Sequence, residues 1–375
     1  MLNQLGRRRF AVPLVALIAI FLVLGTAFYP NLHVNPKDVP FAIVNLDEGT
    51  PTPAGAINLG ETIAAQLQVG GAPGAPASPI VWTELDSQAA LDAALEDNQF
   101  YGAIVIPADF TTSQFAAEAG EGTPAVVQVM INPGKNALLA TTMQTGLTAM
   151  LVQTGLSIDV TVIHGADVGG GSMGALMSGM ILVMPTMMMT ILCSVLLFLL
   201  LRPAKGASRV TRLKAYGLQV GTAVALSAAI AALAVLLTVW GGLNLPTGAA
   251  FLFLWLASFF LAVLFIGALD LLAPLGILVI ASCFALGMSS AMFAKEMLPA
   301  FWQTWVYPWV PQRFMGDGIR SIIYLDASAW NSSVPPLAIT GAIGLVLFAL
   351  AALLPARSKK PALVSAEDPS RPDDD

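Results

Sequence analysis

Charge is scarce in this sequence: only 11% of its 375 residues are Asp, Glu, Lys or Arg, against about 25% in an ordinary soluble protein. Cysteine is scarcer still. Cys193 and Cys283 both fall inside apolar runs, which excludes a disulfide framework and a cysteine metal site. The two histidines, His33 and His164, stand alone with no carboxylate or thiol at ligand spacing, so no metal is expected. No G-x-x-x-x-G-K-[ST] phosphate loop and no G-x-S-x-G nucleophile setting occurs, so the chain is expected to bind no nucleotide or other cofactor and not to be an enzyme. Basic residues are rare between residues 31 and 172, where acids greatly outnumber Lys37 and Lys135. A nucleic-acid partner is thereby excluded.

What the chain has instead is hydrocarbon. Hydrophobic residues make up 56% of it and mean hydropathy is +0.76. Residues 173–201 carry no charge, which exceeds the roughly 20 apolar residues that cross a bilayer. The basic loop Arg202, Lys205, Arg209, Arg212 and Lys214 follows without an acid and is placed on the cytoplasmic side by the positive-inside rule. Arg7, Arg8 and Arg9 precede a first apolar run at residues 10–29, read as a retained span because its core is longer than that of a cleaved signal. Further runs lie at 216–240, 250–269, 271–293 and 335–354, and Arg357, Lys359 and Lys360 follow the last. The expectation is a membrane protein of about six transmembrane helices in a bacterial plasma membrane, with membrane lipid around it and both termini cytoplasmic.

The organisation expected is a cytoplasmic N-terminus (1–9), a first span (10–29), an extracytoplasmic α/β domain (30–172) inserted between the first and second spans, a five-helix membrane domain (173–354) and a disordered cytoplasmic tail (355–375). Within 30–172, strands are expected at 41–45, 80–82, 101–106 and 126–131. Helices are expected at 57–67, from Ser87 to residue 98, from Thr111 or Thr112, and over 136–163. Gly169, Gly170 and Gly171 read as a hinge.

Three features in the membrane part admit two readings each. Met173, Met177, Met180, Met184 and Met187 follow a 4-3-4-3 spacing and form one helical stripe, which packs against a neighbouring helix or lines a dimer or substrate path. Asp270 is the one ionisable residue between two apolar runs. It marks a cytoplasmic turn or serves as a proton site. Residues 294–330 hold Phe301, Trp302, Trp305, Tyr307, Trp309 and Phe314 among several prolines, as in a re-entrant or interfacial segment or an aromatic belt at the rim.

Several phrases resemble the ABC-2 type transporter permeases and, among them, the YhgE/Pip-like group. Residues 39–50, VPFAIVNLDEGT, with Asn45, Asp47 and Gly49, are similar to that group's opening after the first span. Asn58 and Gly60 resemble the helix start that follows, and residues 91–110, with Pro107 and Phe110, resemble a stretch common to ABC-2 exporters. Pro299, Tyr307, Pro308, Pro311 and Arg320 resemble the segment before the last span. The resemblance implies the permease subunit of an exporter of a lipophilic or amphiphilic substrate. It also implies a homodimer or heterodimer, a separate cytoplasmic ABC ATPase that binds the ATP, and docking of that ATPase at Arg202–Lys214. A non-transporting scaffold or receptor and a proton-coupled transporter using Asp270 are the alternatives.

Overall fold

In a computed structural model of the chain, the residues described are 28–53, 55–69, 78–165, 171–204 and 206–354, with residues 14, 17–19, 21, 22, 25 and 26 of the first apolar run. The N-terminal arginines, most of the expected first span, Lys205, Gly169 and Gly170 of the glycine hinge and the whole tail lie outside them.

A mixed α/β domain comes first. Strands β1 (Val39–Asn45), β4 (Ile80–Glu84), β5 (Gly102–Ile106), β6 (Val126–Ile131) and β7 (Ser157–Val162) form one sheet in the order β4-β1-β5-β6-β7. A hairpin of β2 (Thr50–Thr52) and β3 (Gly55–Ile57) stands apart. All neighbours in the large sheet run parallel except β5 and β6. Successive strand side chains point to opposite faces, so β1 feeds two cores. Phe41 and Ile43 join Ile104, Ile106 and the helices α1 (Leu59–Val69) and α4 (Ala137–Gln153) on one side. Ala42 and Val44 join Ala103, Val105 and Leu91 and Leu95 of α2 (Gln88–Glu96) on the other. Helix α3 (Phe110–Glu118) adds Phe110 to the first core.

Strands β1, β4, β5 and β6 and helix α2 match their expected positions. Two expectations fail. The helix expected over 136–163 stops at Gln153, turns at Gly155 with φ +77, and becomes β7. Ser157–Val162 reads SIDVTV, alternating and rich in β-branched residues, and pairs with β6 along its length; such a segment favours a pleated, half-buried surface over a helix. Ile57, expected on a helix, ends β3. Asn58 then accepts the Glu61 amide at 2.7 Å and starts α1 one residue later.

Among the described residues five helices are long and apolar enough to cross a membrane. They are α5 (Gly171–Leu201, crossing over Gly179–Leu201), α6 (Arg209–Trp240), α7 (Thr247–Leu271), α8 (Ala273–Met292) and α10 (Val334–Leu353). The chain is a multi-pass α-helical membrane protein. The span count among the described residues is five rather than about six, because the first expected span falls mostly outside them. Helix α7 is the centre of the bundle, with Phe253, Leu254, Ala257, Leu261 and Phe265 fully buried. Its Gly267 meets α10 backbone to backbone: a Cβ there would lie 2.4 Å from the Gly344 carbonyl oxygen, the close approach that small residues permit between membrane helices.

Two further boundaries move. The basic stretch expected as a loop is only partly one: Ser208 caps α6 by accepting the Thr211 amide, so Arg209, Arg212 and Lys214 lie on its first turns. Residues 294–330, expected as a re-entrant or interfacial segment, hold regular elements. They comprise a 3₁₀ turn Lys295–Met297, a π turn Trp302–Val306 and the helix α9 (Pro311–Tyr324), whose apolar side is buried against the bundle.

Candidate functional site

The motif at the end of β1 is a structural pin. Asp47 is 7% exposed. Its Oδ1 accepts the amides of Gly49 at 3.2 Å and Thr111 at 3.0 Å. Its Oδ2 accepts the Gly60 amide at 2.9 Å and the Thr111 hydroxyl at 2.5 Å. Gly60 and Thr111 are each the second residue of a helix, so the N-termini of α1 and α3 converge on one carboxylate, where the helix dipoles favour negative charge. Burial pushes the Asp47 carboxyl upward, but the donors from Thr111, Gly60 and Gly49 outweigh it and hold it below its ordinary 3.8. Asn45 accepts the Asp47 amide at 3.1 Å, and Asn58 donates to the Asp47 carbonyl at 2.7 Å. A Cβ on Gly60 would sit 2.5 Å from Asn45 Oδ1, so only glycine fits there. Pro107 takes the Phe110 amide at 3.1 Å and seats that ring, 1% exposed, in the core. Every oxygen of this carboxylate is spoken for, and among the described residues no group of His, Cys, Asp and Glu can hold a metal.

The aromatic segment completes the α/β domain. Trp302, Val306 and Val310 are buried in the same core as Val39, Phe41 and Ile104, while Phe301, Trp305 and Trp309 face outward at 58%, 67% and 50% exposure. The segment thus has one aromatic side turned outward and one turned into the core. Polar bonds tie the same joint: Tyr101 donates to Glu296 at 2.8 Å, and the Lys37 and Asn35 amides donate to the Glu296 and Met297 carbonyls at 2.9 and 3.3 Å. Asn136, capping α4, donates to the Met292 carbonyl at the end of α8 at 3.2 Å. Burial and the Glu296 charge raise the Tyr101 phenol well above its ordinary value, so it donates at any physiological pH.

Helix α9 carries the buried polar groups of the bundle's domain-facing end. Pro311 opens it. Arg320, 8% exposed, pairs with Asp317 and donates to the Ala291 carbonyl at 3.4 Å. Arg313 pairs with Asp317 at 3.0 Å, donates to the Tyr307 carbonyl at 3.3 Å and lies 4.3 Å over the Tyr307 ring. Pro299 takes the Gln303 amide at 3.1 Å, and Pro308 stands in the turn that leads into α9. Gln312 donates to the Cys283 carbonyl at 2.7 Å and reaches Met187 Sδ at 3.7 Å.

The methionine stripe divides. Met187 is packed in the bundle core at 1% exposure. Met180 and Met184 line a cavity of about 330 Å³ with Asn31, Met288, Ala291, Met292 and Phe293. The side chains of Met173 and Met177 lie outside the described ones.

At the opposite end of the bundle, Arg202, Arg209 and Lys214 are exposed. Arg212 is not part of that free set: it donates to the Ala351 and Leu354 carbonyls at 3.1 and 2.7 Å, closing the last turn of α10. Asp270 stands one residue inside the end of α7, at the turn into α8. Gln219 and Arg202 are its neighbours, yet its Oδ2 and both Gln219 amide atoms are buried without a completed hydrogen bond.

The sequence reading gave Thr111 and Tyr101 only as the starts of elements and passed over Glu296 and Asp317. A signal existed for two of them, since Glu296 and Asp317 are the only acids between residues 271 and 324.

A family model described as ABC-2 family transporter protein matches residues 10–353. No curated protein and no solved structure matches the chain.

Proposed function

This chain belongs to the ABC-2 family of transporter proteins, and we propose that it is the permease subunit of an exporter that moves a lipophilic or amphiphilic substrate out of a bacterial cell. Members of the family are non-catalytic membrane subunits that pair with a cytoplasmic ATPase. Within it we place the chain in the YhgE/Pip-like group, on the motifs around Asp47, Phe110 and Arg320. The observation that carries the reading is the extent of the match, which runs through the α/β domain and all five spans rather than a fragment.

On this reading residues 10–29 supply a sixth span, both termini are cytoplasmic and the α/β domain is extracytoplasmic. Two copies, or one copy and a related permease, form the working unit. The ATPase docks on the exposed cations Arg209, Lys214 and Arg202, with Lys205 in the same loop, and Arg212 holds their platform to α10. Purification from native membranes in mild detergent should recover an ATP-binding-cassette protein whose ATP hydrolysis depends on this chain. Arg209→Glu with Lys214→Glu should abolish that recovery in variants whose topology is checked alongside, because these charges also orient the helices. Normal recovery in the double variant would dismiss the docking face, and repeated failure to recover any ATPase from the parent would favour a scaffold or receptor.

A further inference from the structure

The cavity beside α5 has a chemistry that selects its occupant. Met180 and Met184 form one wall, Met288, Ala291 and Met292 at the end of α8 another, and Phe293 and Asn31 close it where the bundle meets the α/β domain. Among the described lining residues Asn31 carries the only polar side chain. An ordered water needs two to four polar partners, and the described walls of this partly open cavity of about 330 Å³ offer almost none. Water and polar solutes are thus poor occupants. Four thioethers on unbranched stems can repack around guests of different width and branching. Both main walls belong to helices long and apolar enough to cross a membrane, so hydrocarbon lies within reach of the cavity.

We propose that this cavity is a binding site for a hydrocarbon chain, held between α5 and α8 just below the α/β domain. The chain is the acyl tail of a bilayer lipid or the apolar part of the exported molecule. It rests on the permease reading only in placing the site on the substrate's route; occupancy belongs to this chain alone. Arg320 stands behind the wall, bonded to the carbonyl of Ala291, so a guest that spreads the wall presses on α9 and the Arg320–Asp317 pair.

The test uses the full chain in phosphatidylethanolamine–phosphatidylglycerol vesicles carrying a trace of phospholipid with a diazirine in one acyl chain, without ATPase or ATP. Photolabel should concentrate on Met184, Met288 and Met292 over Leu192, an exposed residue of α5 at 61%. Met184→Trp fills the cavity and should cut labelling of Met288 and Met292 by about tenfold, or ~1.4 kcal/mol. Met189→Trp, on the exposed side of α5, should leave it unchanged. Where Met184→Trp fails to fold, as judged by gel filtration, Met288→Phe replaces it. Organic extraction of protein purified without added lipid identifies the source: bulk phospholipid or an enriched amphiphile, and either supports a chain-binding site. Labelling no greater than at Leu192, or unchanged by cavity filling, overturns the proposal. Neither result depends on whether an ATPase partner exists.

Discussion

Replacing Asp47 by alanine removes one acceptor that four donors share, and its cost can be worked from those bonds. The Gly60 and Thr111 amides are buried at the starts of α1 and α3, and a buried donor left unsatisfied costs about 1–3 kcal/mol. Two such donors, with the Thr111 hydroxyl partly redirected, give a loss of about 3 kcal/mol for the local structure. That corresponds to about a hundredfold in an opening equilibrium. Hydrogen exchange followed by mass spectrometry on the full chain in detergent reads it directly: peptides covering the starts of α1 and α3 should exchange about a hundredfold faster in Asp47→Ala, while those of α7 should not change. The sign of the pH dependence follows from the lowered carboxyl. A carboxylate depressed by folding stabilises above its ordinary value and loses that contribution as the pH falls through its folded one. Variant and parent should therefore differ at neutral pH and converge only in strong acid. Equal exchange at neutral pH would refute the pin, and would mean that water or the backbone satisfies both helix starts without Asp47.

Trp302→Ala should destabilise the α/β domain by about 3–5 kcal/mol, as truncation of a buried aromatic does, whereas Trp305→Ala, 67% exposed, should stay within about 0.5 kcal/mol; thermal unfolding by intrinsic fluorescence separates them. Arg212→Ala should lower the melting temperature in detergent, because charge-assisted bonds to the Ala351 and Leu354 carbonyls contribute about 1.5–3 kcal/mol, and lysine at 212 should restore part of it. Gly318→Ala puts a Cβ 2.1 Å from Phe253 Cζ; overpacking of this kind costs about 1–3 kcal/mol, and an unchanged melting temperature would show that α9 can lift off α7.

The sequence displays what depends on neighbours along the chain. The short continuous apolar runs of β1 and β5, the Ser87 cap and the long apolar helices are all written within a few residues. Strand β7 was missed although Gly155 and the alternation of Ser157–Val162 mark it locally; the apolar content running on from α4 masked that signal, and the pairing with β6 makes it plain. The role of Asp47 was out of reach: Asn45, Gly49, Asn58 and Gly60 lie close by, but the partner that doubles its bonds, Thr111, is 64 residues away. Arg212 looked like one cation among five, and what removes it from the set is the end of α10, 139 residues on. Trp302 and Trp305 carry the same side chain, and only the fold decides that one is core and the other surface.

The seating of Trp302, Val306 and Val310 in the α/β core also sets a timetable for making the protein. A ribosome has finished β7 long before it reaches residue 302, so the nascent domain must wait with part of its apolar interior uncovered until α8 has been inserted. Pairings of such long sequence separation form late, and uncovered apolar surface in the interval invites aggregation. The same arrangement makes the domain a poor cassette: cut out at residue 165, it would leave its own keystone behind in the membrane half.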